Sequence, residues 1–196
     1  MLSANIILFD YFTILDAFGP VEVFQRLETH YRIKFYSENG GKIKTKPDLG
    51  IETVNMNEIE HYDILLIPGG QGTRELVNDG AFITKIREIA VKSENVLTVC
   101  TGSALLAKTG LLSGHRATTN KMAFQWVASQ DGSVAWQRQA RWVVDGKYYT
   151  SSGITAGIDM ALGFVEDTIS TESADKICSA LEYVWNKNRD NDPFGI

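Results

Sequence analysis

One cysteine stands where a buried apolar run gives way to a helix-forming run, in Asn95-Val96-Leu97-Thr98-Val99-Cys100-Thr101-Gly102-Ser103. Val96 to Val99 are mostly β-branched and apolar, as a central parallel strand requires, and Gly102 to Ala107 reads as a helix. A cysteine in the turn between them lies beside free backbone N–H groups and the positive end of a helix dipole, both of which favour thiolate over thiol. Cys100 is therefore expected to be a solvent-facing nucleophile of lowered pKa at the carboxyl end of a strand. The second cysteine, Cys178, shares a helical apolar stripe with Ala174, Ile177 and Leu181, so its expected place is the core.

A sulfur nucleophile needs donors for developing negative charge and a group that moves protons. Pro68-Gly69-Gly70 closes the apolar strand Tyr62 to Ile67, and the backbone N–H groups of Gly69 and Gly70 could meet an anionic intermediate. A plain turn is the competing reading. Asp16, flanked by apolar residues in Ile14-Leu15-Asp16-Ala17-Phe18-Gly19-Pro20, is the most suggestive acid or base, although pattern alone slightly favours helix capping for it. Asp10 and Glu22 are weaker rivals. His30, His61 and His115 fall at no strand end that would face Cys100, so a Cys-His pair is not expected. Their spacing matches no metal site, and neither a metal nor a cofactor is expected.

The elements that must position these groups alternate between apolar runs and helix-period segments, the pattern of an α/β fold on a mostly parallel sheet. Strands are expected over Asn5 to Phe9, Arg32 to Ser37, Tyr62 to Ile67 and Val96 to Val99. Lys42 to Thr45 and Ile51 to Val54 read as a hairpin or edge excursion, and Arg141 to Thr150 as a hairpin about Asp145-Gly146. Helices are expected over about Leu15 to Leu27, with Pro20 suggesting a start at Gly19, and from Asp79, as a cap, to Ser93. Further helices are expected over Lys121 to Ser129, Ala156 to Ile169 and Thr171 to Trp185, followed by a loose polar tail.

The chain of 196 residues, 44% apolar and 22% charged, suits one domain over 1–185 with a tail over 186–196. A net charge of −5 with scattered Lys and Arg argues against nucleic acid and anionic membranes as partners. Two cysteines in so long a chain fit a reducing cytoplasm, and the start, cut by Asp10, reads as a strand rather than a signal peptide.

Several segments in order carry a family resemblance: Leu15-Asp16-Ala17-Phe18-Gly19-Pro20, Asp63 to Gly70, Val99-Cys100-Thr101-Gly102-Ser103, Arg116-Ala117-Thr118-Thr119 and Ser152-Gly153-Ile154-Thr155-Ala156-Gly157. Together they resemble the ThiJ/PfpI superfamily of class I glutamine amidotransferase-like proteins. The resemblance implies a flavodoxin-like three-layer sandwich, a cysteine on a nucleophile elbow and a homodimer. Asp16 and Thr101 look like the isocyanide hydratase branch, since peptidase-like members have His after the cysteine and deglycase-like members have Glu at the first helix. That branch implies a small-molecule electrophile as substrate, Cys100 as nucleophile and Asp16 as acid and base. Thr101, Gly69 and Gly70 would orient Asp16 and stabilise charge, and Gly19 and Ile154 would line the pocket. Two alternatives stay open: a stress-response protein whose Cys100 is oxidised to a sulfinate, and a glyoxalase-like enzyme. The sequence departs from many relatives at Asn120, where they carry His, and in its tail. Regulators built on the same module add a DNA-binding domain, for which the chain, ending near the module's own end, has no expected room.

Overall fold

The computed structural model describes residues 1–196. The strands are β1 (Leu2–Ile7), β2 (Tyr31–Ser37), β3 (Gly41–Ile43), β4 (Ile51–Asn55), β5 (Ile64–Ile67), β6 (Asn95–Val99), β7 (Arg116–Ala117), β8 (Ala135–Trp136), β9 (Trp142–Asp145) and β10 (Tyr148–Ser151). The helices are α1 (Ile14–Gln25), α2 (Thr73–Leu76), α3 (Gly80–Lys92), α4 (Gly102–Lys108), α5 (Phe124–Ala128), α6 (Ala156–Thr168) and α7 (Thr171–Leu181). Eight strands form one sheet in the order β3-β4-β2-β1-β5-β6-β10-β9, and β7 pairs with β8 apart from it. The six inner strands run parallel, while β3 and β9 close the two edges antiparallel. Helices α1, α6 and α7 pack together as one layer, and α2 to α5 as the other. This is the expected α/β sandwich with a mostly parallel sheet. No helix is long and apolar enough to cross a membrane.

Ile64 to Ile67 and Val96 to Leu97 are fully buried, as continuous apolar strands covered on both faces must be. The order in which strands join the sheet reverses between β1 and β5: the chain leaves β1 toward β2 and returns to add β5 on the other side. Such a reversal opens a crevice at the carboxyl ends of the strands. Asp16 follows β1, Gly69 follows β5 and Cys100 follows β6, so three distant segments arrive at this one edge.

Local signals hold closely in several places. The Asp79 side chain accepts from the N–H groups of Ala81 and Phe82 and caps α3, which buries Phe82, Ile86, Ile89 and Ala90. Asp145-Gly146 turns the β9–β10 hairpin, with Gly146 at φ 59°. Helix α1, however, starts at Ile14 rather than Gly19 and carries Pro20 in its interior. The Thr13 N–H donates to the Gly69 carbonyl at 2.8 Å, so tertiary docking fixes the start of α1. Pro20 only leaves the Asp16 carbonyl without its helical donor.

The tail expected to be loose is tied down. The Arg189 carbonyl accepts from the N–H groups of Arg141 and Trp142 at 2.7 and 3.2 Å, and the Asp192 N–H donates to the Gln139 carbonyl at 2.7 Å. These bonds link it to the approach to β9, which local sequence cannot reveal. Helix α7 likewise stops at Leu181, four residues short of Trp185, where Glu182 turns left-handed at φ 49°.

Close backbone approach at the start of α4 demands a residue without a side chain. A Cβ on Gly102 would lie 2.3 Å from the Ile67 carbonyl oxygen and 2.8 Å from that of Pro68, and neither backbone atom can rotate away. Gly102→Ala is expected to lower unfolding free energy by about 1–3 kcal/mol, the usual range for overpacking, read from urea denaturation.

Candidate active site

Cys100 is held in a left-handed backbone conformation, φ 56°, on the turn from β6 into α4. A non-glycine residue there is strained and persists only where its surroundings hold it, the geometry of a nucleophile elbow. The surroundings are visible: the Cys100 N–H donates to the Ser152 carbonyl at 3.1 Å, and the Thr119 hydroxyl donates to the Cys100 carbonyl at 2.7 Å. Both peptide groups flanking the strained residue are thereby fixed. Thr119 lies in the Arg116 to Thr119 motif, but nothing in the sequence showed that its hydroxyl would support the cysteine.

Asp16 reaches the same point from α1. The strap Tyr11-Phe12-Thr13 crosses the Gly69-Gly70 loop so closely that a Cβ on Gly70 would lie 2.5 Å from the Tyr11 carbonyl and 2.6 Å from Phe12 Cα. Gly70 sits at φ 134°, a further reason for glycine. This crossing sets the first turn of α1 beside the loop. The Gly69 N–H donates to Asp16 Oδ2 at 3.0 Å, and the Gly70 N–H donates to Thr101 Oγ1 at 3.0 Å. The Thr73 hydroxyl donates to the Gly70 carbonyl at 2.7 Å and stands 3.1 Å from Thr101 Oγ1. A Cβ on Gly69 would meet Thr101 N at 2.6 Å, Thr101 Oγ1 at 2.7 Å and Asp16 Oδ2 at 2.9 Å. Gly69 is the point on which the acid and the threonine converge.

Asp16 is fully buried, and its second oxygen, Oδ1, meets no N–H or O–H donor. The Cys100 thiol lies close enough to act on the carboxylate, but no hydrogen bond joins the two. Burial raises the Asp16 pKa from 3.8 to about 7, against the smaller lowering effects of the Gly69 N–H and the thiol. Capping, the role favoured by pattern, is not what Asp16 does: Thr13 occupies the N-cap position, and the Asp16 side chain reaches across to another segment.

The expectation of an exposed, acidic thiol is overturned. Cys100 is only 7% exposed, and its pKa is pushed up from 9.0 to about 12 by burial and then by the nearby Asp16 charge. The N–H groups of Thr101 and Ile154 lower the pKa, as the elbow geometry suggests, but they are outweighed. Helix α4 also has only seven residues, so its dipole is short. At neutral pH the resting pair is a thiol beside a half-titrated carboxyl.

Of the residues singled out from sequence, Asp16, Gly69, Cys100, Thr101 and Ile154 come together, with Gly70 bound to Thr101. Ile154 is 40% exposed at φ 40° and stands at the rim. Gly69 and Gly70 direct their N–H groups at Asp16 and Thr101 and not at the sulfur, so the donors beside the cysteine are those of Thr101 and Ile154. Gly19, expected to line the pocket, is buried where α1 crosses α6, and a Cβ there would lie 2.8 Å from Ile158 Cγ1. Asp10 accepts from the Lys44 N–H at 2.9 Å, and Glu22 pairs with Arg26 on the helix surface. Cys178 is half-buried on α7 against the core rather than inside it. His115 stands 3.3 Å from Asp145, at the opposite end of the sheet from the cysteine. Asn120 Oδ1 accepts from the Ala123 N–H at 3.0 Å and so turns the chain toward α5. No three His, Cys, Asp or Glu side chains are grouped to hold a metal ion. A cleft of about 540 Å³ lined by Asp10, Tyr11, Gln71, Gly72 and Arg74, among others, borrows the same strap and loop, but neither Asp16 nor Cys100 lines it.

The pattern of the DJ-1/PfpI family matches residues 2–167, which span the strap, both loops and the elbow. The chain belongs to the DJ-1/PfpI family. It is 32% identical over 189 residues to an isonitrile hydratase of Pseudomonas putida, covering 93% of this chain and 78% of that protein. It is 26% identical over 153 residues to the HTH-type transcriptional regulator CdhR of Pseudomonas aeruginosa, of which it covers 45%. Among solved structures, a ThiJ/PfpI family protein from Pseudomonas syringae superposes with a TM-score of 0.82 at 25% identity, over 98% of this chain and 76% of that one. Drosophila melanogaster DJ-1beta superposes with a TM-score of 0.80 at 19% identity, over 94% and 99%, a likeness of fold.

The buried carboxyl makes stability depend on pH. Its folded pKa of about 7 lies above the unfolded value of 3.8, so stability falls as pH rises from about 4 and levels off above about 7. At about 1.4 kcal/mol per unit the charged form costs up to about 4 kcal/mol. Asp16→Asn is expected to be the more stable protein at about pH 8 and to lose this slope, read from denaturant unfolding at several pH values.

Proposed function

We propose that this DJ-1/PfpI protein is an isonitrile hydratase, adding water to an isocyanide to give an N-substituted formamide. The observation that carries the reading is the buried Asp16 carboxyl beside the Cys100 thiol, with no hydrogen-bond partner on Oδ1. The similarity to the Pseudomonas putida isonitrile hydratase supports it independently.

The chemistry follows from the pair. Asp16, with a pKa of about 7, takes the Cys100 proton as the sulfur attacks the terminal carbon of the isocyanide. The new C–S bond leaves negative charge on that carbon, and Asp16 returns the proton there, which gives a neutral thioimidate. Water then attacks the same carbon with Asp16 as base. The nitrogen takes that proton; the tetrahedral carbon then collapses, the C–S bond breaks, the hydroxyl proton passes by way of Asp16 to the departing sulfur, and the formamide leaves with the Cys100 thiol restored. The net reaction is one isocyanide plus one water, with no electron transfer. The Thr101 and Ile154 N–H groups stabilise sulfur charge at attack and again at departure, while Gly69 holds Asp16 in position. A raised Asp16 pKa suits both halves, since the group must accept a proton and release it at neutral pH.

The oxidation reading draws on the same cysteine but needs an accessible thiolate, and a buried thiol with its pKa near 12 does not favour it.

Purified protein is expected to consume an aryl isocyanide and release the formamide, followed by mass spectrometry. Cys100→Ala is expected to abolish turnover, and Asp16→Asn to lower kcat by at least about 10²-fold, the scale of general acid–base catalysis. With Asp16 as base, kcat/KM rises with pH through about 7. An isocyanide left unchanged by wild type and Cys100→Ala alike overturns the reading.

A further inference from the structure

The loop that carries Ile154, and whose Ser152 carbonyl accepts the Cys100 N–H at 3.1 Å, is bracketed by a single residue. Arg141, just before β9, accepts the Ser152 N–H on its carbonyl at 2.8 Å, and its Nη2 donates to Thr155 Oγ1 at 3.4 Å. Between these anchors lie Gly153 and Ile154, the latter in a left-handed conformation at φ 40° that an isoleucine does not adopt unaided. The guanidinium is itself fixed: Nε donates to Asp159 Oδ2 at 2.6 Å, and Nη1 stands 3.7 Å from Asp192 Oδ1. Side-chain exposure is 8% for Arg141, 0% for Asp159 and 1% for Asp192, so this is a buried ionic cluster and not a surface pair.

Its remaining neighbours are also placed. Asp159 Oδ1 accepts from the Tyr183 hydroxyl and the Asn186 N–H, both at 3.1 Å. Lys121 Nζ donates to Thr118 Oγ1 at 2.8 Å and to the Ala140 carbonyl at 2.6 Å. The segment after α7 thus packs against the Arg141–Asp159 pair. Buried ionic clusters contribute little net stability compared with an apolar filling of the same shape, and their known use is to fix one arrangement among several. The arrangement this one fixes is the Ser152–Thr155 turn.

We propose that Arg141 is a positioning residue for Cys100, holding the Ser152–Thr155 turn, whose Ser152 carbonyl accepts the Cys100 N–H at 3.1 Å and whose Ile154 N–H neighbours the sulfur, with Asp159 and Asp192 fixing the arginine in turn. The role concerns the thiol and deepens the hydratase reading, on which it rests for its consequence in turnover. Arg141→Lys keeps the charge but cannot span Thr155 and Asp159 at once, because an ammonium lacks the guanidinium fork. Thr155→Val removes only the hydroxyl at the exposed end of the bracket and leaves the buried pair intact.

The test is the alkylation rate of Cys100 by iodoacetamide in the full chain from about pH 6 to about pH 11, resolved from Cys178 by peptide mass. Losing a donor to the sulfur raises the thiol pKa, and each unit lowers the thiolate fraction about tenfold. Both variants are expected to shift the pH profile upward, with the rate at about pH 8 reduced about three- to tenfold. Tyr149→Phe, which loses the 3.2 Å bond to Asp167 elsewhere in the fold, is expected to keep the wild-type profile. Arg141→Lys and Thr155→Val proteins that melt cooperatively and alkylate as wild type overturn the proposal, as does an equal shift in Tyr149→Phe. A chain that hydrates no isocyanide yet shows the shift sinks the hydratase reading and keeps Arg141 in its role. In an active chain, Arg141→Lys lowers kcat and leaves KM unchanged.

Discussion

A carboxyl and a thiol share one dry space and, near neutral pH, at most one negative charge between them. That constraint organises the carboxyl edge of the sheet. Burial makes either anion costly, and their proximity makes two anions costlier still, so each pKa rises. The protein then needs only a few donors, and it takes them from backbone: Gly69 for the carboxylate, Thr101 and Ile154 for the sulfur. Backbone donors carry no net charge and cannot rotate away, which suits a site whose charge moves from oxygen to sulfur and back.

The same constraint accounts for two of the four non-glycine residues at positive φ. Cys100 and Ile154 both adopt positive φ, and each strained residue offers or receives a contact at the sulfur. Glycines 69, 70 and 102 remove the side chains that would keep the three strand ends apart. The supports are layered: Ser152 and Thr119 hold the elbow, Arg141 holds the turn that carries Ser152 and Ile154, and the C-terminal segment holds Arg141. Strain at the centre is matched by hydrogen bonds and ion pairs around it.

Much of this was legible from local pattern. The Asp79 cap, the Asp145-Gly146 hairpin and the span of α6 follow from interactions within a few residues, and each formed as its sequence indicates. The cysteine elbow is also local, since an apolar β-branched run followed by Thr-Gly-Ser-Ala has few other conformations. What misled was environment. The expected low pKa of Cys100 weighed the helix terminus, which is local, but neither burial nor the charge of Asp16, which is 84 positions away in sequence. Capping by Asp16 and pocket lining by Gly19 were both readings of α1 alone, whereas the partners of the two residues lie on the Gly69 loop and on α6.

Sequence by itself determined the element order, the parallel sheet, the turn that carries the thiol and the chemical types that could react with it, because these depend on hydrophobic period and on turn residues acting over short spans. Tertiary structure alone decided which carboxylate meets the sulfur, which backbone N–H groups neighbour it, that the pair is buried, and that the chain beyond α7 is fastened to the Arg141–Asp159 pair. The physical reason is that burial and electrostatic coupling are sums over neighbours brought together by folding. No window of sequence contains those neighbours.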